Sequence, residues 1–156
     1  MELGVDFAQL LWSMGDNAMK SMRLAVMILL AFLGVGAVVG AVPMILWPFE
    51  TQWNLLPVSV LQYSPFHSFL IPGIILLGAN GLLAFWVLWL VIARKSSFGL
   101  WTALQGCVLL GWLVVECWMI RAVGGAHYFY AAIAIALIVL GLAMRVSPVH
   151  PERDLA

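Results

Sequence analysis

The amino-acid sequence predicts an all-α polytopic membrane protein, a four-transmembrane-helix bundle, and three observations carry the prediction. Apolar residues fall into four long runs, over 24–46, 69–93, 98–120 and 126–144. Hydrophobic side chains make up 65% of the 156 residues and charged ones only 9%, with a mean hydropathy of +1.09. Basic residues cluster at alternate ends of the runs. A helix needs roughly 20 apolar residues, at about 1.5 Å rise each, to cross about 30 Å of hydrocarbon. A soluble domain of this size does not carry such a composition. Seven basic and seven acidic residues balance to a formal net charge of zero, so no nucleic-acid partner is suggested.

In order along the chain, residues 1–22 read as a short amphipathic helix on the cytoplasmic surface. Leu3, Phe7, Leu10, Leu11, Met14 and Ala18 recur near helical spacing, with Glu2, Asp6, Gln9, Asp16 and Asn17 mostly elsewhere. Residues 23–146 form the transmembrane domain. Its first span, 24–46, exceeds the 7–15 apolar residues of a secretory signal and is expected to be retained. The loop 47–68 interleaves Trp47, Phe49, Trp53, Tyr63 and Phe66 with Pro48, Pro57 and Pro65. It is expected in the outer headgroup layer, or folded as a lid over the bundle. Pro72 is expected in or near the first turn of span two, where a missing N–H costs least. Residues 147–156 are the tail.

Lys20 and Arg23 precede span one, Arg94 and Lys95 separate spans two and three, and Arg145 follows span four. Positive charge marks the cytoplasmic side. Both termini and the 94–97 turn are therefore expected in the cytoplasm, with the 47–68 loop and the 121–125 turn outside. Arg121 alone departs from the rule.

Tyr63-Ser64-Pro65-Phe66, the run from Phe69 to Gly73, Asn80-Gly81 and the segment Gly111-Trp112…Glu116…Ile120-Arg121 together resemble a group of small four-span bacterial inner-membrane proteins with no assigned activity. The resemblance covers about a third of the chain. It implies the fold and a bacterial cytoplasmic membrane, and assigns no residue a role.

An ionisable residue within a span costs about 2.5–3.5 kcal/mol on insertion scales, which makes Glu116 the leading candidate for function. Gln105, Leu109, Trp112 and Glu116 fall at i, i+4, i+7 and i+11, on one stripe of span three that should face the bundle interior. Asn80 of span two and Gln105 fall at depths differing by about 3 Å in an antiparallel hairpin, which permits an interhelical hydrogen bond. Glu116 lies about 6 Å below the outer end of its span, at the level of Arg121, His67, His127 and Tyr63. These groups are expected to converge on an outer-face polar pocket. No ligand spacing such as HxxxH or ExxH occurs, and neither a metal nor a cofactor is expected.

Cys107 and Cys117 sit about 15 Å apart along one helix, too far for a disulfide. With no CxxC, the thiol-oxidising four-span enzymes are disfavoured. Gly36 and Gly40 in span one form a small-residue pair that favours close helix approach within the bundle and leaves oligomerisation open. Walker, GxSxG, HExxH and CxxCH motifs are absent from the sequence. The leading expectation is a noncatalytic binding or accessory protein that holds a lipid-like molecule, a quinone or a partner's transmembrane helix. The alternatives are a small proton-coupled carrier using Glu116 and a membrane-embedded enzyme using Glu116 and a histidine as acid and base.

Overall fold

The computed structural model describes residues 3–49 and 57–146, with the backbone alone for residues 3–13 and Val146. Among these, α1 is Leu3–Leu46, α2 Leu70–Leu76, α3 Leu83–Ile92, α4 Phe98–Ile120 and α5 Gly125–Val146, with a 3₁₀ turn at Val58–Tyr63 and no strand. A π-helical stretch, Leu77–Leu82, joins α2 to α3, making one continuous rod from Leu70 to Ile92. Four helices are long and apolar enough to cross a membrane: Met14–Leu46, Leu70–Ile92, Phe98–Ile120 and Gly125–Arg145. Large apolar side chains cover the outside of the bundle; Ile28, Phe32, Val35, Val39, Val42 and Leu46 of α1 are all exposed. Their three- and four-residue spacing lays a stripe along the helix that hydrocarbon solvates and water would not.

The expected separate amphipathic helix over 1–22 is not seen as an element of its own. No proline interrupts the chain between Met14 and Leu24, and Ala18, Met19, Lys20, Met22 and Arg23 are good helix formers, so α1 runs unbroken through this region. Its 44 residues reach about 66 Å, roughly twice the hydrocarbon thickness. The 147–156 tail lies outside the described residues.

The four spans alternate in direction. Arg23, Arg94, Lys95 and Arg145 gather at one end of the bundle, called here the basic end; the 3₁₀ turn and the 121–124 turn cap the other, the loop end. At the basic end the Arg23 guanidinium donates through Nη2 to Val91 O at 2.7 Å and lies 5.8 Å from the Phe98 ring centre. The rod Leu70–Ile92 ends in a Schellman motif: Arg94 adopts φ 51°, while Lys95 N–H donates to Leu90 O and Arg94 N–H to Val91 O. At the loop end Arg121, also at φ 51°, terminates α4 with its N–H on Cys117 O at 2.9 Å.

In lipid, where apolar burial gives no drive, helices associate through close packing at small residues. A Cβ on Gly106 would lie 2.6 Å from Ala134 O, and one on Gly141 2.5 Å from Ala103 N, so α4 and α5 meet backbone to backbone. Gly73 serves the same purpose between α2 and α1, where its Cβ would strike Met44 at 2.8 Å. Toward the basic end the two hairpins close over a core of Val26, Leu30, Leu33, Val87, Val91 and Leu137, none more than 2% exposed. Toward the loop end Leu61 of the 3₁₀ turn packs with Phe69 and Met119, so residues 58–69 lie against the ends of α4 and α2.

Candidate binding cavity

Between the closed core and the loop end the four spans leave a cavity of about 370 Å³. Its wall is mostly aliphatic, with Leu33, Val39, Met44, Leu76, Leu109 and Leu113, and small residues of α1, Gly36, Ala37 and Gly40, make the space. Five side chains with polar atoms interrupt that wall: Asn80, Trp112, Glu116, His127 and Tyr130. Asn80 marks the deep end, ten residues or about 15 Å from the start of α2. Glu116 and His127 mark the rim, four residues before the end of α4 and two after the start of α5.

The deep end is built by the π stretch. Leu83 N–H bonds Gly78 O rather than Ala79 O, its ordinary α-helical acceptor, so the Ala79 carbonyl loses that donor. Gln105, fully buried on α4, replaces it: Nε2 donates to Ala79 O at 3.1 Å and approaches Asn80 Oδ1 at 3.5 Å. The structure thus brings Asn80 and Gln105 together, with a backbone carbonyl between them that sequence spacing does not foresee. Asn80 Nδ2 and Gln105 Oε1 are buried with no hydrogen-bond partner among the described residues.

At the rim the Trp112 side chain and the His127 ring both stand close enough to the Glu116 carboxyl to interact with it electrostatically. His127 Nδ1 accepts the Gly124 N–H at 3.0 Å. A neutral ring accepting at Nδ1 carries its proton on Nε2, and that atom is buried without a partner. Tyr130, three residues on and on the same face of α5, brings its hydroxyl against Gly36 and stacks on Phe32 at 6.3 Å. Sequence reasoning passed over Tyr130, although its i, i+3 relation to His127 was the available signal.

The expected convergence at the outer face is only half realised. Glu116, Trp112 and His127 share the cavity, whereas His67 is exposed on the loop and outside the lining. Arg121 forms no ion pair with Glu116; its guanidinium lies 4.7 Å from the Tyr63 ring centre, a cation–π contact above the membrane-spanning part of α4. The physical reason is geometric. Five helical residues turn the chain about 140°, and the left-handed backbone at Arg121 directs it to the 3₁₀ turn instead.

The stripe on α4 is also broader than its spacing implied: Leu113 is 7% exposed and lines the cavity beside Trp112. Gly36 and Gly40 face Tyr130 and Leu76 inside the bundle. Cys107 and Cys117 are free thiols. Among the described residues no three His, Cys, Asp or Glu side chains are grouped as metal ligands would be.

A second, smaller hollow of about 250 Å³ lies on the other side of Trp112, lined by apolar residues including Phe66, Ile75, Val108 and Met119. Comparison with family models, curated proteins and solved structures returns no match for this chain.

Proposed function

We propose that the protein is a noncatalytic integral membrane binding protein whose cavity holds a lipid-like small molecule, in a bacterial inner membrane with both termini cytoplasmic. The orientation rests on the basic end, since Arg23, Arg94, Lys95 and Arg145 would then face the cytoplasm. One observation carries the binding reading: a cavity of about 370 Å³, apolar in its wall, with the polar atoms Asn80 Nδ2 and His127 Nε2 buried and unpartnered. Its size falls in the roughly 300–1,000 Å³ range of small-molecule sites, and a few placed polar groups in an apolar wall are the usual means of orienting a ligand.

Two features favour this reading over its rivals. Backbone-to-backbone contact at Gly99, Gly106 and Gly141 fills the basic half of α4 and α5, which supports a site with one opening over the continuous path a carrier needs. Gly34, Gly36 and Gly40 of α1 face Phe85, Tyr130 and Leu76 within the bundle, which supports a small molecule over a partner helix as occupant.

The test is purification in mild detergent followed by extraction and mass spectrometry of what travels with the protein. Gly40→Phe supplies the comparison, because Gly40 lines the cavity and its Cβ would meet only Leu76 at an ordinary 3.5 Å. The wild type should carry an amphiphile enriched over bulk lipid, and Gly40→Phe should lose it while keeping its helix content. A wild-type extract indistinguishable from bulk lipid would sink the proposal.

A further inference from the structure

The orientation of the Asn80 amide is set by chemistry. Ala79 O is a carbonyl and can only accept, so the Gln105 atom 3.1 Å away must be the donor Nε2. That same nitrogen sits 3.5 Å from the Asn80 side chain, so the Asn80 atom turned toward Gln105 is the acceptor Oδ1. Gln105 lies behind the cavity wall and Asn80 lies in it. With Oδ1 turned to Gln105, the NH₂ group is left buried and without a partner among the described residues, on a fully buried side chain that belongs to the cavity wall. The deep end therefore offers a donor that cannot become an acceptor while Gln105 stays in place. At the rim, His127 also offers a donor, Nε2–H, because Nδ1 is engaged by Gly124.

A ligand that meets Asn80 must bring an acceptor to a point about 15 Å below the loop end, near the middle of the hydrocarbon. A charged acceptor at that depth would be desolvated with no cation among the residues lining the cavity to offset it. An upright phospholipid would present only its acyl chain there.

Resting on the proposed binding role, we infer that the ligand is a neutral, lipid-soluble carbonyl compound of the ketone, quinone or ester class, bound with its carbonyl oxygen accepting from Asn80 Nδ2. Such a molecule reaches the site by partition from the bilayer. It also satisfies Asn80 Nδ2, a buried side-chain donor at the deep end that has no partner among the described residues.

The experiment uses the full-length protein in nanodiscs and two probes of matched length, a long-chain methyl ketone labelled with ¹³C at its carbonyl and the corresponding alkane. Binding is read by equilibrium partition of each probe into loaded over empty nanodiscs. The ketone should bind about fivefold tighter than the alkane, the worth of one ordinary hydrogen bond. Asn80→Leu should abolish that preference and retain alkane binding. In the wild type, with no substitution needed, the ¹³C=O infrared band should shift to lower wavenumber than in empty nanodiscs, which keeps the inference testable if the variant fails to fold. Equal binding of ketone and alkane with an unshifted band overturns the carbonyl assignment and leaves the binding role standing. Exclusion of both probes, as from a cavity filled by water, overturns the binding role and the assignment together.

Discussion

Replacing Gln105 with leucine removes the donor that holds the π stretch, and the structure fixes what is lost. Leucine nearly matches glutamine in volume, so packing on the α2 side changes little. What disappears is a 3.1 Å hydrogen bond to Ala79 O and a longer 3.5 Å approach to Asn80 Oδ1. The Ala79 carbonyl has already lost Leu83 N–H to Gly78 O, so Gln105→Leu leaves it without that donor as well. An unsatisfied buried acceptor costs about 1–3 kcal/mol, and the weaker loss at Asn80 adds a few tenths. Asn80→Leu is a different perturbation, because Gln105 keeps Ala79 O and an unpartnered buried Nδ2 is removed. Its cost should be under about 0.6 kcal/mol, the mean for an interhelical hydrogen bond in a membrane. Equilibrium unfolding of the two single variants and the double variant in mixed micelles measures all three free energies. Gln105→Leu should be the more damaging by at least about 0.5 kcal/mol. If Asn80→Leu proves equal or worse, the carbonyl-centred account of the deep end is wrong.

Three further outcomes follow from the packing and the rim. Gly106→Ala should destabilise by about 1–3 kcal/mol in the same assay, since its Cβ would stand 2.6 Å from Ala134 O, while Gly111→Ala, with nothing within 4 Å, should be neutral or gain up to about 1 kcal/mol from helix propensity; equal effects would remove the close α4–α5 approach. Arg121→Ala and Tyr63→Leu should each cost about 0.5–1 kcal/mol and be non-additive, with Arg121→Ala unchanged in a Glu116→Gln background; rescue by Glu116→Gln would restore the ion pair that the geometry lacks. Cysteines at Val114 and Trp118, which are 70% and 60% exposed, should react with lipid-phase labels while those at Leu109 and Leu113 resist, and uniform labelling would contradict the orientation of α4.

The spans were legible because length and hydropathy are properties of the chain itself. The four runs expected at 24–46, 69–93, 98–120 and 126–144 match the helical spans to within a few residues at most ends. The exception is span one, where α1 continues through a region read as a separate amphipathic helix. An amphipathic pattern states which face is apolar; it does not state where a helix stops, and with no proline in residues 14–24 the helix continues through Gly15, Asp16 and Asn17. Asn80 and Gln105 were legible for a related reason: depth along a straight helix follows from counting, at about 1.5 Å per residue.

What counting misses is any change in helical register or chain direction. The π stretch at Leu77–Leu82 shifts one turn of the hydrogen-bond ladder, and only the cluster Gly78-Ala79-Asn80-Gly81, small and polar inside an apolar run, hints at it in the sequence. The left-handed residue at the end of α4 is hidden in the same way, for Arg121 at φ 51° occupies a conformation that glycine adopts more readily and arginine does not announce. Depth placed Arg121, His67, His127 and Glu116 at one level, but a level is a plane, and proximity within it depends on the azimuth that such local turns set. Glu116 and His127 share the cavity because α4 and α5 are locked face to face by Gly106 and Gly141 near the middle and basic end of the pair. The same lock explains why the cavity lies toward the loop end. Bulkier residues at those glycines would separate the two helices along their length and dissolve the distinction between a closed half and an open one, so the space around Asn80 depends on contacts made below it.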